Sequence, residues 1–160
     1  MLYPQLLLDD FAKLPSVLRD FHSAPGGSKA SGTVTVRHVN HWLARMAGFP
    51  PSGDNIPLQV DVDAGDDEEV WTRRFGAAVL RSVQSRHGDL LVEAVGPVRV
   101  FFRVSADPAG MRFESERARF WKIPLPLRIR AEARGNRSSW NIEVTVRGVG
   151  WYRGVVTPTV

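Results

Sequence analysis

The sequence contains no cysteine, only three lysines and no long apolar run. Without cysteine the chain can form no disulfide, no thiolate nucleophile and no Cys-ligated metal or cluster. Its apolar runs are far shorter than the ~20 residues of a membrane-spanning helix. The N-terminus also lacks the basic region and apolar stretch of a secretory signal. We therefore expect a cytoplasmic protein without stable membrane insertion.

The scarcity of lysine makes arginine the dominant basic residue, although the net charge is only +4. Arginine forks bind carboxylates and phosphates bidentately, while a GC-rich genome also enriches arginine. The 43% hydrophobic and 24% charged content is ordinary for a globular protein, and 160 residues can bury the core of one domain. The sequence predicts a single domain over 1–160, with a helical capping region and one strand in 1–55 and an antiparallel meander in 56–160.

Alternating apolar and polar segments separated by turn residues run from Ile56 to Val156. Segments such as Val98–Val104 and Trp140–Val146 have the two-residue period of half-buried strands. Gly96-Pro97 and Asp107–Gly110 are typical turns. Eight or nine strands joined by short turns favour closure, because an open sheet leaves exposed edges. We predict a mainly β fold: an antiparallel meander forming a calycin-like barrel or half-barrel.

Segments before the meander have the three- and four-residue apolar spacing of short helices. One lies in Leu2–Phe21, with Pro15 where a second helical piece can begin, and one in Val39–Ala47, with Asn40 as a cap. The apolar faces are Val17, Leu18 and Phe21 in the first region and Trp42, Leu43 and Met46 in the second. We expect the N-terminal helices to cap one end of the barrel or to pack across its concave face.

Four arginines share strand faces with large apolar residues, which predicts that they point into the barrel. They are Arg73, Arg81, Arg117 and Arg153. Buried guanidinium groups need an internal carboxylate or an anionic ligand. The apolar wall of the same pocket would come from Trp71, Phe102, Phe113 and Trp151. The alternative is that bulges at Gly76 or near Ser115 reverse the register and send some of the arginines to solvent.

Candidate catalytic residues are Glu116, which with Glu114 forms a carboxylate pair, and His87. Paired carboxylates can act as acid and base when their environments separate their pKa values. An outward pair that balances neighbouring arginines is the simpler interpretation. The four histidines do not converge with acidic residues, so no metal site is predicted. The exposed arginine row Arg128, Arg130 and Arg134, with Arg147, has no interleaved aromatics, so we expect no nucleic-acid partner.

Three stretches resemble a bacterial family known as a domain of unknown function. They are Leu14–His22, Pro25–Gly32 and Trp71–Gly76. Members of that family also occur fused C-terminal to saccharopine-dehydrogenase-like oxidoreductase domains. The resemblance implies a stand-alone accessory module and carries over no catalytic residue. No Gly-x-Gly-x-x-Gly follows a strand, so nicotinamide binding is not implied, and we expect no cofactor.

Three functions are compatible with these patterns. The leading hypothesis is a binding module for a lipophilic small molecule with an anionic group, held in an apolar cavity by inward arginines. The first alternative is a cofactor-independent enzyme of cyclase or isomerase type that uses the same cavity. The second is an accessory module that docks onto an oxidoreductase. A cavity with buried arginines favours the first. A buried carboxylate or histidine with a perturbed pKa in that cavity favours the enzyme, and an exposed apolar patch over a filled core favours the accessory module.

Overall fold

The structure is a computed structural model that describes residues 1–159. Its elements follow one another as α1 (Leu2–Leu7), a 3₁₀ helix (Leu8–Lys13), α2 (Ser16–Ser23), β1 (Gly27–His38), α3 (His41–Met46), β2 (Gly53–Ala64), β3 (Glu68–Phe75), β4 (Ala78–His87), β5 (Leu90–Val95), β6 (Val98–Asp107), β7 (Gly110–Phe120), β8 (Ile123–Leu125), β9 (Ile129–Gly135), β10 (Trp140–Val146) and β11 (Gly150–Thr159). The mainly β prediction is confirmed.

Ten strands form a closed antiparallel barrel in which nearly every strand pairs with its sequence neighbours. Closure comes from the pairing of β1 with β11, which aligns Lys29 with Thr159 and His38 with Gly150. The one departure is β8, which pairs with residues Ala118–Phe120 at the C-terminal end of β7. Strand β9 pairs with residues Gly110–Glu114 at its N-terminal end. In the segment Trp121–Pro126 two prolines exclude a central strand, and the sequence predicts a loop. The segment contains the three-residue strand β8 at the edge of β7. Pro124 lies in that strand and removes one donor from the exposed edge.

The two ends of the barrel differ. The N-terminal helices close the end where β1 begins, as predicted, because their apolar residues enter the core beside the strands. The buried residues of this closed end include Leu2, Tyr3, Leu7, Leu14, Val17, Leu18 and Phe21. Pro15 at the start of α2 lies so close to Gly135 that a Cβ there would be 2.5 Å from the Pro15 Cβ. A side chain at position 135 would displace the helices.

Helix α3 lies at the opposite end, which we call the open end. Its N-cap is Asn40, whose side chain accepts a hydrogen bond from the Leu43 backbone N–H at 3.0 Å, as the sequence predicts. Only Ala44 of this helix is buried, against Val146 and Val149. The apolar side predicted for α3 is not covered by the core, because Trp42 and Met46 are 65% and 70% exposed.

A tight turn and a bulge decide which residues of β4 and β7 face the barrel interior. Gly76, with φ +59°, and Ala77 form a two-residue hairpin that pairs Phe75 with Ala78. The sequence predicts a bend or bulge at Gly76 within extended chain; that prediction is wrong, because a hairpin separates β3 from β4 there. In β7, the register shifts between the partners of Phe101 and Phe102. This bulge places Glu116 between two paired residues and reverses which face the following residues occupy.

Candidate functional site

A large apolar cavity of about 840 Å³ fills the barrel interior. Its wall includes Trp71, Phe102 and Phe113, as predicted, and Trp140 and Ile142 from β10. Tyr3, Leu18, Phe21 and His22 form its floor at the closed end. At the open end, Leu43, Met46 and Phe120 line the cavity and are also solvent-exposed. The cavity therefore opens to solvent at the α3 end.

One polar cluster interrupts the apolar wall. The Arg73 Nη1 group donates to the Glu93 carboxylate at 2.9 Å and to the Ser82 hydroxyl oxygen at 3.0 Å. The Ser82 hydroxyl donates to the same Glu93 oxygen at 2.5 Å. The hydroxyl of Tyr3 donates to the Gln84 amide oxygen at 2.7 Å. Strands β3, β4 and β5 thus present an internally paired cation and anion to the cavity.

The ion pair sets the charge state of the cluster. Burial alone would raise the pKa of Glu93, but the Arg73 charge and the hydrogen bonds from Ser82 and Arg73 outweigh it, so the pKa is lowered. Burial opposes the charge of Arg73, yet the nearby Glu93 leaves the pKa of the guanidinium raised. Both groups stay charged near neutral pH, and the cavity carries no net charge at this point.

Hydrogen-bond donors remain available at the cavity surface. Among residues 1–159, every fully buried side-chain nitrogen and oxygen has a hydrogen-bond partner. Within this part of the chain the bonds of Arg73 use Nη1, and the Tyr152 hydroxyl forms no side-chain hydrogen bond. The remaining Arg73 N–H groups and the Tyr152 hydroxyl are therefore reachable from the cavity. Burial raises the pKa of Tyr152, so its hydroxyl stays protonated and can donate.

His22 forms part of the cavity floor. Its ring lies 4.1 Å from the Tyr3 ring and 5.8 Å from the Trp71 ring, measured between centroids. Burial lowers the pKa of His22 to about 3, so the imidazole is neutral at physiological pH. His22 lies in the last turn of α2, at the helix C-terminus that the sequence predicts, where the dipole would stabilise a charged ring. The dipole does not explain this residue, because its ring is buried in the core and is neutral.

Glu69 anchors the helical floor to the barrel wall. It is 2% exposed, accepts a hydrogen bond from the Trp71 indole N–H at 3.1 Å, and also accepts one from the Leu2 backbone. Burial raises the pKa of its carboxyl, although these hydrogen bonds partly counteract the increase. One side chain therefore connects the first helix to a cavity-lining tryptophan.

Only one of the four predicted inward arginines, Arg73, lies in the cavity. Arg81 is exposed because the Gly76-Ala77 hairpin directs Leu80, Ser82 and Gln84 inward and Val79 and Val83 outward. Arg117 is outside because the β7 bulge reverses its face. Arg153 is outside because Tyr152 and Val156 are the inward residues of β11.

The outward arginines cover outward aromatic residues. The Arg117 guanidinium lies 4.2 Å from the centroid of Phe101, and that of Arg153 lies 4.4 Å from Trp151. Phe101 belongs to a small buried cluster on the outer wall with Leu90 and Val92. Trp151 is therefore not a cavity residue, contrary to prediction. The face that Arg153 shares with Trp151 was predicted correctly, but the side of the wall was not. For Arg117 the shared face itself was wrong, because the bulge separates it from Met111 and Phe113.

Neither predicted catalytic candidate reaches the cavity. Glu116 is exposed at the bulge and pairs with Arg103 Nη2 at 2.6 Å. His87 is exposed, with its ring edge-on to Phe101 at 6.0 Å on the outer wall. The residues that the sequence analysis missed are Tyr3, Ser82, Gln84, Glu93 and Tyr152. A hairpin at Gly76-Ala77, if recognised, would have set the phase of β4 and revealed Ser82 and Gln84.

Metal ligation finds no support in the described part of the chain, where no group of three or more His, Asp or Glu side chains converges. His38 and His41 do meet, with their Nδ1 atoms 3.1 Å apart, but no third ligand joins them.

None of the helices in residues 1–159 has the length and hydropathy to cross a bilayer. Comparison with known proteins finds no matching family model, no similar curated protein and no similar solved structure.

Proposed function

We propose that this protein binds a lipophilic small molecule in the barrel cavity. The observation that carries the proposal is an apolar cavity of about 840 Å³ with one polar cluster on its wall. Ligand sites are concave and mostly apolar, with a few polar groups that fix orientation. A filled core would have been the expected outcome for a purely structural barrel of this size.

The polar cluster favours a head group that accepts hydrogen bonds and carries no charge. The anionic head group expected from the sequence depended on arginines without an internal partner. Glu93 is such a partner for Arg73, at 2.9 Å, and would repel a second carboxylate. The remaining Arg73 N–H groups and the Tyr152 hydroxyl are donors. A carbonyl or ester oxygen near them meets both conditions.

Ligand displacement tests this function. A fluorescent apolar probe bound in the cavity should be displaced by a long-chain ketone or methyl ester more strongly than by the corresponding carboxylic acid at neutral pH. The Arg73→Gln, Glu93→Gln double variant removes both charges together and should reduce the preference for the ester over the alkane of equal length. Arg153→Gln, on the outer wall, is the matched control and should change neither affinity.

Two outcomes would contradict the proposal. If the probe does not bind, or if Phe113→Trp on the cavity wall leaves its affinity unchanged, the cavity is not the site. If the carboxylic acid binds best and Arg73→Gln alone abolishes that preference, the head group is anionic. Native mass spectrometry of the purified protein would additionally identify a co-purifying molecule.

A further inference from the structure

The open end of the barrel exposes large apolar residues on two neighbouring segments. Trp42 and Met46 belong to α3, while Trp121 and Ile123 belong to the β7–β8 hairpin and are 72% and 62% exposed. Both segments border the same opening, because Met46 and Phe120 line the cavity there. Single exposed apolar residues are ordinary, but a cluster around one opening indicates an interaction surface.

The connections at this end carry only positive charge. They are 39–52, 76–77, 96–97, 121–122, 126–128 and 147–149. Their charged residues are Arg45, Lys122, Arg128 and Arg147, with no Asp or Glu. None of the four forms an ion pair with any residue in 1–159. By contrast, the strand connections at the closed end contain Asp66, Asp67 and Asp89 and a single basic residue, Arg137.

A pair of like charges on the outer wall adds to this positive field. Arg99 and Arg119 lie directly opposite each other on β6 and β7, next to the Val98–Phe120 pair that ends the two strands. Both are exposed, and neither is in an ion pair within the described residues. Like charges directly opposite on a sheet are destabilising unless an external anion offsets them.

We propose that the open end docks on the surface of an anionic lipid bilayer. Tryptophan is enriched at the membrane–water interface, where its ring is apolar and its N–H can bond to head groups. Unpaired arginine and lysine beside it are attracted to anionic lipids. Docking would direct the cavity mouth toward the bilayer. The inference depends only on the exposed residues of the open end and not on the identity of the ligand.

Vesicle flotation tests the docking directly. The intact protein should float with vesicles of phosphatidylcholine mixed with phosphatidylglycerol, remain unbound with phosphatidylcholine alone, and dissociate at high salt because exposed charges are screened. Lys122→Gln should weaken binding about fivefold, which corresponds to ~1 kcal/mol per basic residue near an anionic surface. Trp121→Ser should weaken it by about tenfold through the loss of apolar insertion.

Matched controls separate docking from general effects. Arg137→Gln at the closed end and Val155→Ser on the outer wall should leave vesicle binding unchanged, and all variants should keep the thermal midpoint of the parent. Equal binding to neutral vesicles, equal losses from closed-end variants, or no flotation at all would overturn the proposal. Self-association of the free protein that Trp121→Ser abolishes would indicate a protein partner instead. Displacement of the fluorescent probe in the absence of vesicles tests ligand binding in the cavity separately from membrane docking.

Discussion

Two short helices with similar apolar spacing lie at opposite ends of the barrel and have opposite environments. In α2, Val17, Leu18 and Phe21 are buried in the barrel floor. In α3, Trp42 and Met46 face solvent, and Ala44 provides the buried contact. The spacing identifies the apolar face of each helix, but the connections decide whether the barrel covers that face. The closed end serves stability, while the open end exposes the same residue types as a surface.

The largest difference between the two ends in their contribution to stability should appear at acidic pH. Folded His22 binds a proton only below about pH 3, whereas in the unfolded chain it does so below about 6.5. The unfolded state therefore binds more protons between these values, and stability is lost as the pH falls through this window. The full contribution is on the order of 4–5 kcal/mol.

Urea unfolding at several pH values checks this sign and size. His22→Phe should flatten the acid limb of the stability curve between pH 6.5 and 3. A parent protein whose stability is constant across this window would show that the ring of His22 is accessible to protons in the folded state.

Tryptophans offer the next contrast. Trp71 is 9% exposed and packs against Phe21 and His22, whereas Trp121 is 72% exposed. Trp71→Ala should reduce the free energy of unfolding by about 3–5 kcal/mol. Trp121→Ala should change it by less than about 0.5 kcal/mol. Denaturant midpoints compare the two, and a similar loss for both would contradict the distinction between the ends.

Aliphatic residues of the two helices give a smaller difference. Leu18→Ala removes a side chain that is 1% exposed and should cost about 2–4 kcal/mol. Met46→Ala removes one that is 70% exposed and should be within about 0.5 kcal/mol of the parent. Thermal unfolding monitored by circular dichroism is sufficient to measure this difference in stability. If Met46→Ala were as costly as Leu18→Ala, α3 would be part of the core.

The charged cluster should give the smallest of these stability losses. Glu93→Gln leaves the Arg73 charge without its partner, which costs about 3–5 kcal/mol at a dry site. Because the cavity can hydrate Arg73, we expect about 2 kcal/mol. Glu116→Gln at the exposed bulge should cost under about 0.5 kcal/mol. Equal effects of the two substitutions on the urea midpoint would mean that the Arg73–Glu93 pair contributes nothing.

The sequence was sufficient to predict the barrel because most strands carry their own alternation and most turns contain a glycine or proline. It was not sufficient to decide which face of β4 points inward. The inward residues Ser82 and Gln84 are polar, and the outward residues Val79 and Val83 are apolar. The interior cluster therefore inverts the usual pattern on this strand. Arg81 was assigned inward for that reason.

Other causes misplaced Arg117 and Arg153: the β7 bulge reversed the face of Arg117, and Arg153 covers an outward aromatic residue that resembles a core residue in the sequence. Arginine stems can shield an outward aromatic ring, so Phe101 is buried without being inside and Trp151 is only half-exposed. Burial by an arginine cannot be distinguished from burial in a core by periodicity alone. Arg73 was predicted correctly, but its partner Glu93 was not, because that pairing joins strands that are twenty residues apart.

The seam between β1 and β11 has a consequence for how the chain reaches its native state. Each hairpin from β2 to β7 can form from neighbouring residues, whereas the seam joins positions such as Lys29 and Thr159. The entropy of closing such a long loop must be overcome before the seam contacts contribute. We therefore expect the seam to form late and folding to be slow. Until then the strands from β1 to β11 would form an open sheet whose apolar inner face is accessible to other chains.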